Sequence, residues 1–184
     1  MQLRTFRLWL VLLFLASVAL AAAGARFELV SKHARSYGSA SQFPVTSPTL
    51  RADRAHNTIT VASPGDLHLT ALAGPKAAMM SFQIDGLTNP TIEIPLGSRL
   101  TLDVVNVDDD MAHNLYLSDQ APPYPKNVAS PGLGTQVLKP YKGMRYSGAA
   151  LIVKAAGPGA AYYLCTVPGH AKAGMYGKIV VKQH

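Results

Sequence analysis

The chain has a single cysteine in 184 residues, Cys165. That excludes an intramolecular disulfide framework, and it excludes any metal centre built on two bridging thiolates. Acidic residues are scarce: 10 Asp and Glu stand against 17 Lys and Arg, a formal net charge of +7. Charged residues make up 15%, against about 25% in an average soluble domain. The cations are scattered along the chain and form no cluster interleaved with aromatics, which argues against nucleic-acid binding. Few carboxylates also means few groups whose protonation drives acid unfolding, so the composition predicts tolerance of low pH. Helical periodicity is missing as well: no run from Arg26 onward repeats apolar residues at 3.6.

What is present is a series of short alternating runs. Thr58 to Val61, Leu67 to Leu72, Ala78 to Ile84, Thr91 to Pro95 and Arg99 to Val107 each read as strands. Turn residues such as Ser63-Pro64-Gly65-Asp66 and Asp85-Gly86 separate them. Turns at intervals of about eight to twelve residues predict an all-β sandwich or barrel. The Asp108-Asp109-Asp110 run reads as a polar turn. We expect the β-domain to occupy 58–184. Residues 26–57, rich in Ser, Ala, Pro, Arg and His, read as a flexible linker or extension.

Ahead of these lies the one long apolar run. Arg4 and Arg7 precede 18 residues without a charge, Leu8 to Ala25. The run predicts an N-terminal apolar helix over 1–25 that directs the chain to a membrane, with the basic start kept in the cytoplasm and the rest exported. Two fates are open. Ala21-Ala22-Ala23 and Ala23-Gly24-Ala25 are small-x-small cleavage sites of a removed signal peptide. Eighteen apolar residues also reach the length of a retained anchor.

The chemistry concentrates in Tyr162 to Val181. Between two strand-like runs sit a thiol, an imidazole and a thioether, spaced Cys165-x4-His170-x4-Met175. A further imidazole, His113, lies upstream beside the run Leu115-Tyr116-Leu117. One Cys, two His and a weak Met make the donor set of a mononuclear electron-transfer copper site. A thiolate donates electron density, imidazole suits both Cu(I) and Cu(II), and an axial thioether favours Cu(I). Each residue alone is bland, since a lone Cys is usually a small core hydrophobe. Together, after a β-run and before Gly177-Lys178-Ile179-Val180-Val181, they form a pattern. The small or apolar residues Pro168, Gly169, Ala171 and Ala173, with Lys172 at the rim, predict a docking patch around the outer edge of His170.

The loop resembles the C-terminal ligand loop of the cupredoxins, and its four-and-four spacing resembles the rusticyanin-like group of acidophilic iron oxidisers. The resemblance runs from about Asp85 to Lys182 and is specific only at the loop. It implies a Greek-key fold, one copper ion and no enzymatic activity. It places the first copper imidazole at His113. It also implies a brace from Asn114, after that His, to Thr166, after the Cys. Rusticyanin-like proteins have Ser at the position of Asn114. The departure predicts a reduction potential high for the family but below theirs.

By the same resemblance, the chain is expected to carry electrons on the periplasmic side of the inner membrane, anchored by residues 8–25 or soluble if cleaved. The implied partners are a c-type cytochrome and a terminal cytochrome c oxidase. A copper chaperone or accessory oxidase subunit could use the same donors. A Cys–His hydrolase built on Cys165 and His170 would lack an orienting Asn or Asp in the loop and would leave Met175 unexplained.

Overall fold

The alternation read in the sequence becomes two facing sheets. The computed structural model describes residues 24–129 and 132–183, so all but Gly24 and Ala25 of the apolar N-terminal run lies outside the described residues. One six-stranded sheet has the order β1 (Arg26–Tyr37), β10 (Tyr146–Gly157), β8 (Arg99–Asn106), β4 (Asp66–Ala73), β5 (Phe82–Ile84) and β6 (Leu87–Thr88). The other runs β2 (Leu50–Asp53), β3 (Thr58–Val61), β7 (Thr91–Pro95), β12 (Tyr176–Lys182), β11 (Gly159–Leu164) and β9 (Tyr116–Ser118). The pairs β4–β8, β3–β7 and β7–β12 are parallel, and the remaining neighbours are antiparallel. Among the described residues the only helix is a single 3-10 turn, Ala40–Gln42. None there is long and apolar enough to cross a membrane.

Period-2 patterning places the core. On β4, Leu67, Leu69, Ala71 and Ala73 point inward, and on β12 Ile179 and Val181 do the same. Tyr163 is the largest fully buried side chain. Its ring meets Phe82 edge-on, and its hydroxyl donates to the Pro90 carbonyl at 2.7 Å. A Cβ on Gly177 would collide with that ring, so the close approach of β12 to β11 requires glycine.

Of the two readings of 26–57, the structure shows the extension, packed onto the sheets, and not the flexible linker. Arg26–Tyr37 forms a strand of 12 residues, paired antiparallel with β10 from Arg26↔Gly157 to Tyr37↔Tyr146, and Leu50–Asp53 pairs with β3. Strand β1 is exposed along nearly its whole length, so it lacks the apolar alternation by which strands are recognised. It forms because β10 offers it a row of backbone partners. Its charged residues Glu28, Lys32 and Arg35 suit a sheet edge. His68 lies on the outer face of β4, as its alternation implies. It hydrogen-bonds the buried carboxylate of Asp103 on β8.

Candidate metal centre

Cys165 follows the last residue of β11, and Tyr176 opens β12 directly opposite Leu164. The loop 165–175 therefore leaves and re-enters one antiparallel ladder. It is closed by its own backbone: Cys165 N–H donates to Met175 O (3.0 Å), Met175 N–H to His170 O (3.0 Å), and His170 N–H to Val167 O (3.0 Å). The return to Met175 needs a left-handed residue, which Gly174 supplies at φ +105°. Met175 is fully buried in the same apolar cluster as Cys165.

His113 arrives from elsewhere. It precedes β9, which pairs with β11, and exchanges backbone hydrogen bonds with Leu138 (3.2 and 2.7 Å). Its Nδ1 lies 3.9 Å from Cys165 Sγ and 3.2 Å from His170 Nδ1, while Sγ to His170 Nδ1 is 3.5 Å. These three residues are all buried, His113 and Cys165 completely. First-row metals bind imidazole at about 2.0 Å and thiolate at about 2.3 Å, so trigonal donors stand about 3.5 Å (N to N) and 3.8 Å (N to S) apart. The observed triangle matches that size, and the donor types fit copper.

Electrostatics fit a site built for a cation. Burial pushes the Cys165 thiol up, against hydrogen bonding from the Asn114 and Val167 backbone. Burial pulls His170 down, and neighbouring His113 adds to this. Burial also lowers His113, opposed by its bond to Asp108. Without metal the pocket thus favours neutral imidazoles and a thiol, and metal entry releases the thiol proton.

The expected brace is present. Asn114 Nδ2–H donates to Thr166 Oγ1 and Thr166 N–H donates to Asn114 Oδ1, both at 2.8 Å. Around the loop, Pro168, Lys172 and Ala173 are exposed and Gly169 is half-buried. Ala171 departs from the expected docking patch. It is 2% exposed and packs with Tyr124 and Leu164, because the Pro-rich segment after β9 folds over that side of the loop. His170 itself is only 7% exposed.

Two residues at the site were not singled out by the sequence. Asp108, in the run read as a polar turn, is buried, and its Oδ2 lies 3.1 Å from His113 Nε2. Burial pushes its carboxyl up, but the N–H groups of Met111 and Asp110 and the His113 ring outweigh this and leave it below the usual range. Gly74, at φ +70°, closes over the pair: a Cβ there would fall 2.5 Å from His113 Nε2 and 2.6 Å from Asp108 Cβ. Only an Asp five residues before a His could have hinted at the first. Of the neighbouring methionines shortly after Gly74 in the chain, Met79 is 42% exposed and Met80 packs against the core.

The model of the copper binding proteins of the plastocyanin/azurin family matches residues 70–182. Rusticyanin of Acidithiobacillus ferrooxidans is 32% identical over 118 residues, and rusticyanin of Acidithiobacillus ferridurans 31% over 118. Each match covers 63% of this chain and 63% of the relative's length. Among solved structures, rusticyanin from Thiobacillus ferrooxidans superposes with a TM-score of 0.64 at 30% identity, covering 73% of this chain and 86% of that one. Reduced rusticyanin superposes at 0.66 with 27% identity, covering 82% of this chain and all of that one.

Proposed function

Because this chain belongs to the plastocyanin/azurin family of copper-binding proteins, we propose that it is a one-electron carrier whose single type 1 copper ion is held by His113, Cys165 and His170, with Met175 as weak axial donor. The reading rests on one observation: a buried thiol and two imidazole Nδ1 atoms converge within 4.8 Å of one another. Bound there, copper supplies a Cu(I)/Cu(II) couple.

The protein's part is to keep the donors in place whichever state is present. The closed loop holds Cys165, His170 and Met175 through its own backbone hydrogen bonds, and the Asn114–Thr166 pair ties it to the His113 segment. Holding the donors rigid keeps the rearrangement between oxidation states small. His170 lies closest to the surface among the three donors, and Pro168, Lys172 and Ala173, its near neighbours in the loop, are exposed. This rim is the docking surface for redox proteins. Weak electron-transfer partners use small patches of this kind.

The wider setting is part of the same proposal. The apolar run after Arg4 and Arg7 supports export to the periplasmic side of the membrane, anchored or released. The relatives are rusticyanins of Acidithiobacillus species, and the low carboxylate count supports work at acid pH. A c-type cytochrome donor and a terminal oxidase acceptor complete the reading.

The test is a Cu(II) titration of the full-length protein in mild detergent, followed by absorption and EPR. One equivalent should give an intense visible sulfur-to-copper band that bleaches on reduction and returns on oxidation. Uptake without that band, with copper passing freely to a chelator, would favour a chaperone and defeat the carrier reading.

A further inference from the structure

His113 is the donor that the ligand loop does not hold, and its ring is gripped from the far side. Nε2 meets Asp108 Oδ2 at 3.1 Å, and both side chains are buried. Asp108 Oδ1 accepts the backbone N–H groups of Asp110 (2.8 Å) and Met111 (2.9 Å), so one carboxylate serves the turn with one oxygen and the imidazole with the other. Among the described residues no Lys or Arg lies within 4.0 Å of this carboxylate; the nearby Lys76 pairs with Asp109. Gly74 closes over the pair with no room for a side chain. Asn106 Oδ1 accepts the Asp108 N–H, and its Nδ2 lies 2.9 to 3.1 Å from the carbonyls of Met111, Leu138 and Lys139. The arrangement is a cradle for one ring orientation and one tautomer.

We propose that Asp108 is a positioning residue of the metal centre. Its carboxylate accepts the Nε2–H of His113, which leaves the Nδ1 lone pair facing Cys165 and His170, and its negative charge makes that imidazole a stronger donor to the oxidised metal. Carboxylates bonded to ligand imidazoles act in this way at other metal sites. The consequence is a two-sided control of the potential. The Asn114–Thr166 clasp works from the sulfur side, and Asp108 works from the imidazole side in the direction that favours Cu(II). The inference rests on the copper reading, but its first prediction concerns the metal-free protein.

Two variants separate positioning from turn structure. Asp108→Ser keeps a short acceptor for the turn N–H groups but cannot reach His113. Long-range 1H–15N NMR of the metal-free protein should find His113 wholly Nε2-protonated in the wild type and mixed in Asp108→Ser. That variant should also bind copper about 10- to 100-fold more weakly. Asp108→Asn removes the charge at nearly constant shape and should raise the reduction potential. Asp109→Asn, an equal charge change at an exposed neighbour, should leave it near the wild-type value. An unchanged His113 tautomer in Asp108→Ser would overturn the positioning role. An equal rise in Asp108→Asn and Asp109→Asn, or no rise in either, would overturn the electronic one. A wild type that takes up no copper would defeat the copper reading, while the tautomer result would stand.

Discussion

The two halves of the metal centre are built differently. The loop from Cys165 to Met175 carries two of the three clustered donors and the candidate axial one on 11 residues, and it is closed by hydrogen bonds within itself. The His113 arm carries one donor on a segment fixed by partners far along the chain: Leu138, Gly74, and Asn106, which ties it to Lys139. A loop of local contacts can be recognised from spacing. An arm of long-range contacts exists only once both sheets have formed, because its partners come from the turn after β4, from β8 and from the segment before β10.

If that contrast is right, the largest effect belongs to the loop's chemistry. Cys165→Ala should abolish the visible band altogether while metal-free thermal unfolding stays close to the wild type, since the loop is closed by its backbone N–H groups and the sulfur is only a weak acceptor there. Next comes a matched pair of glycine substitutions. Gly74 and Gly174 both sit at positive φ, but only Gly74 is crowded; nothing lies within 4 Å of a Cβ on Gly174. Gly174→Ala should cost about 1–2 kcal/mol, backbone strain alone. Gly74→Ala adds overpacking against His113 and Asp108 and should cost about 3 kcal/mol or more. Denaturant unfolding of the metal-free proteins measures both, and equal losses would erase the distinction between the halves.

A smaller effect tests the clasp that joins them. Asn114→Ser loses the paired hydrogen bonds to Thr166, which should cost about 1 kcal/mol and raise the reduction potential. A level potential would mean the clasp does not act on the sulfur, and a fall would reverse the direction of its effect. Smallest is the rim. Lys172→Ala should leave the potential alone and slow electron exchange with an acidic partner by a few-fold at low ionic strength, a difference that high salt removes.

The strands with a half-buried face were legible because alternation is imposed by one-sided burial, as on β4 and β12. Strand β1 was not, since its side chains face solvent and its stability comes from pairing with β10. The docking residues show the same limit. Ala171 is small and apolar like its neighbours in the loop, and only the fold of the segment around Tyr124 shows that it is covered.

By itself the sequence determined the candidate donors and their grouping. Cys165, His170 and Met175 are spaced so that a short loop between paired strands must bring them to one end, and the Asn114–Thr166 clasp was readable from family pattern. The tertiary structure alone decided how His113 is held. Asp108 read as a turn residue because one of its oxygens does cap a turn. The other oxygen meets the imidazole beneath Gly74, just after β4, where a side chain would have no room. A buried hydrogen bond under a glycine from a distant turn has no signature in local sequence, since the burial that gives it strength is produced by residues far from it in the chain.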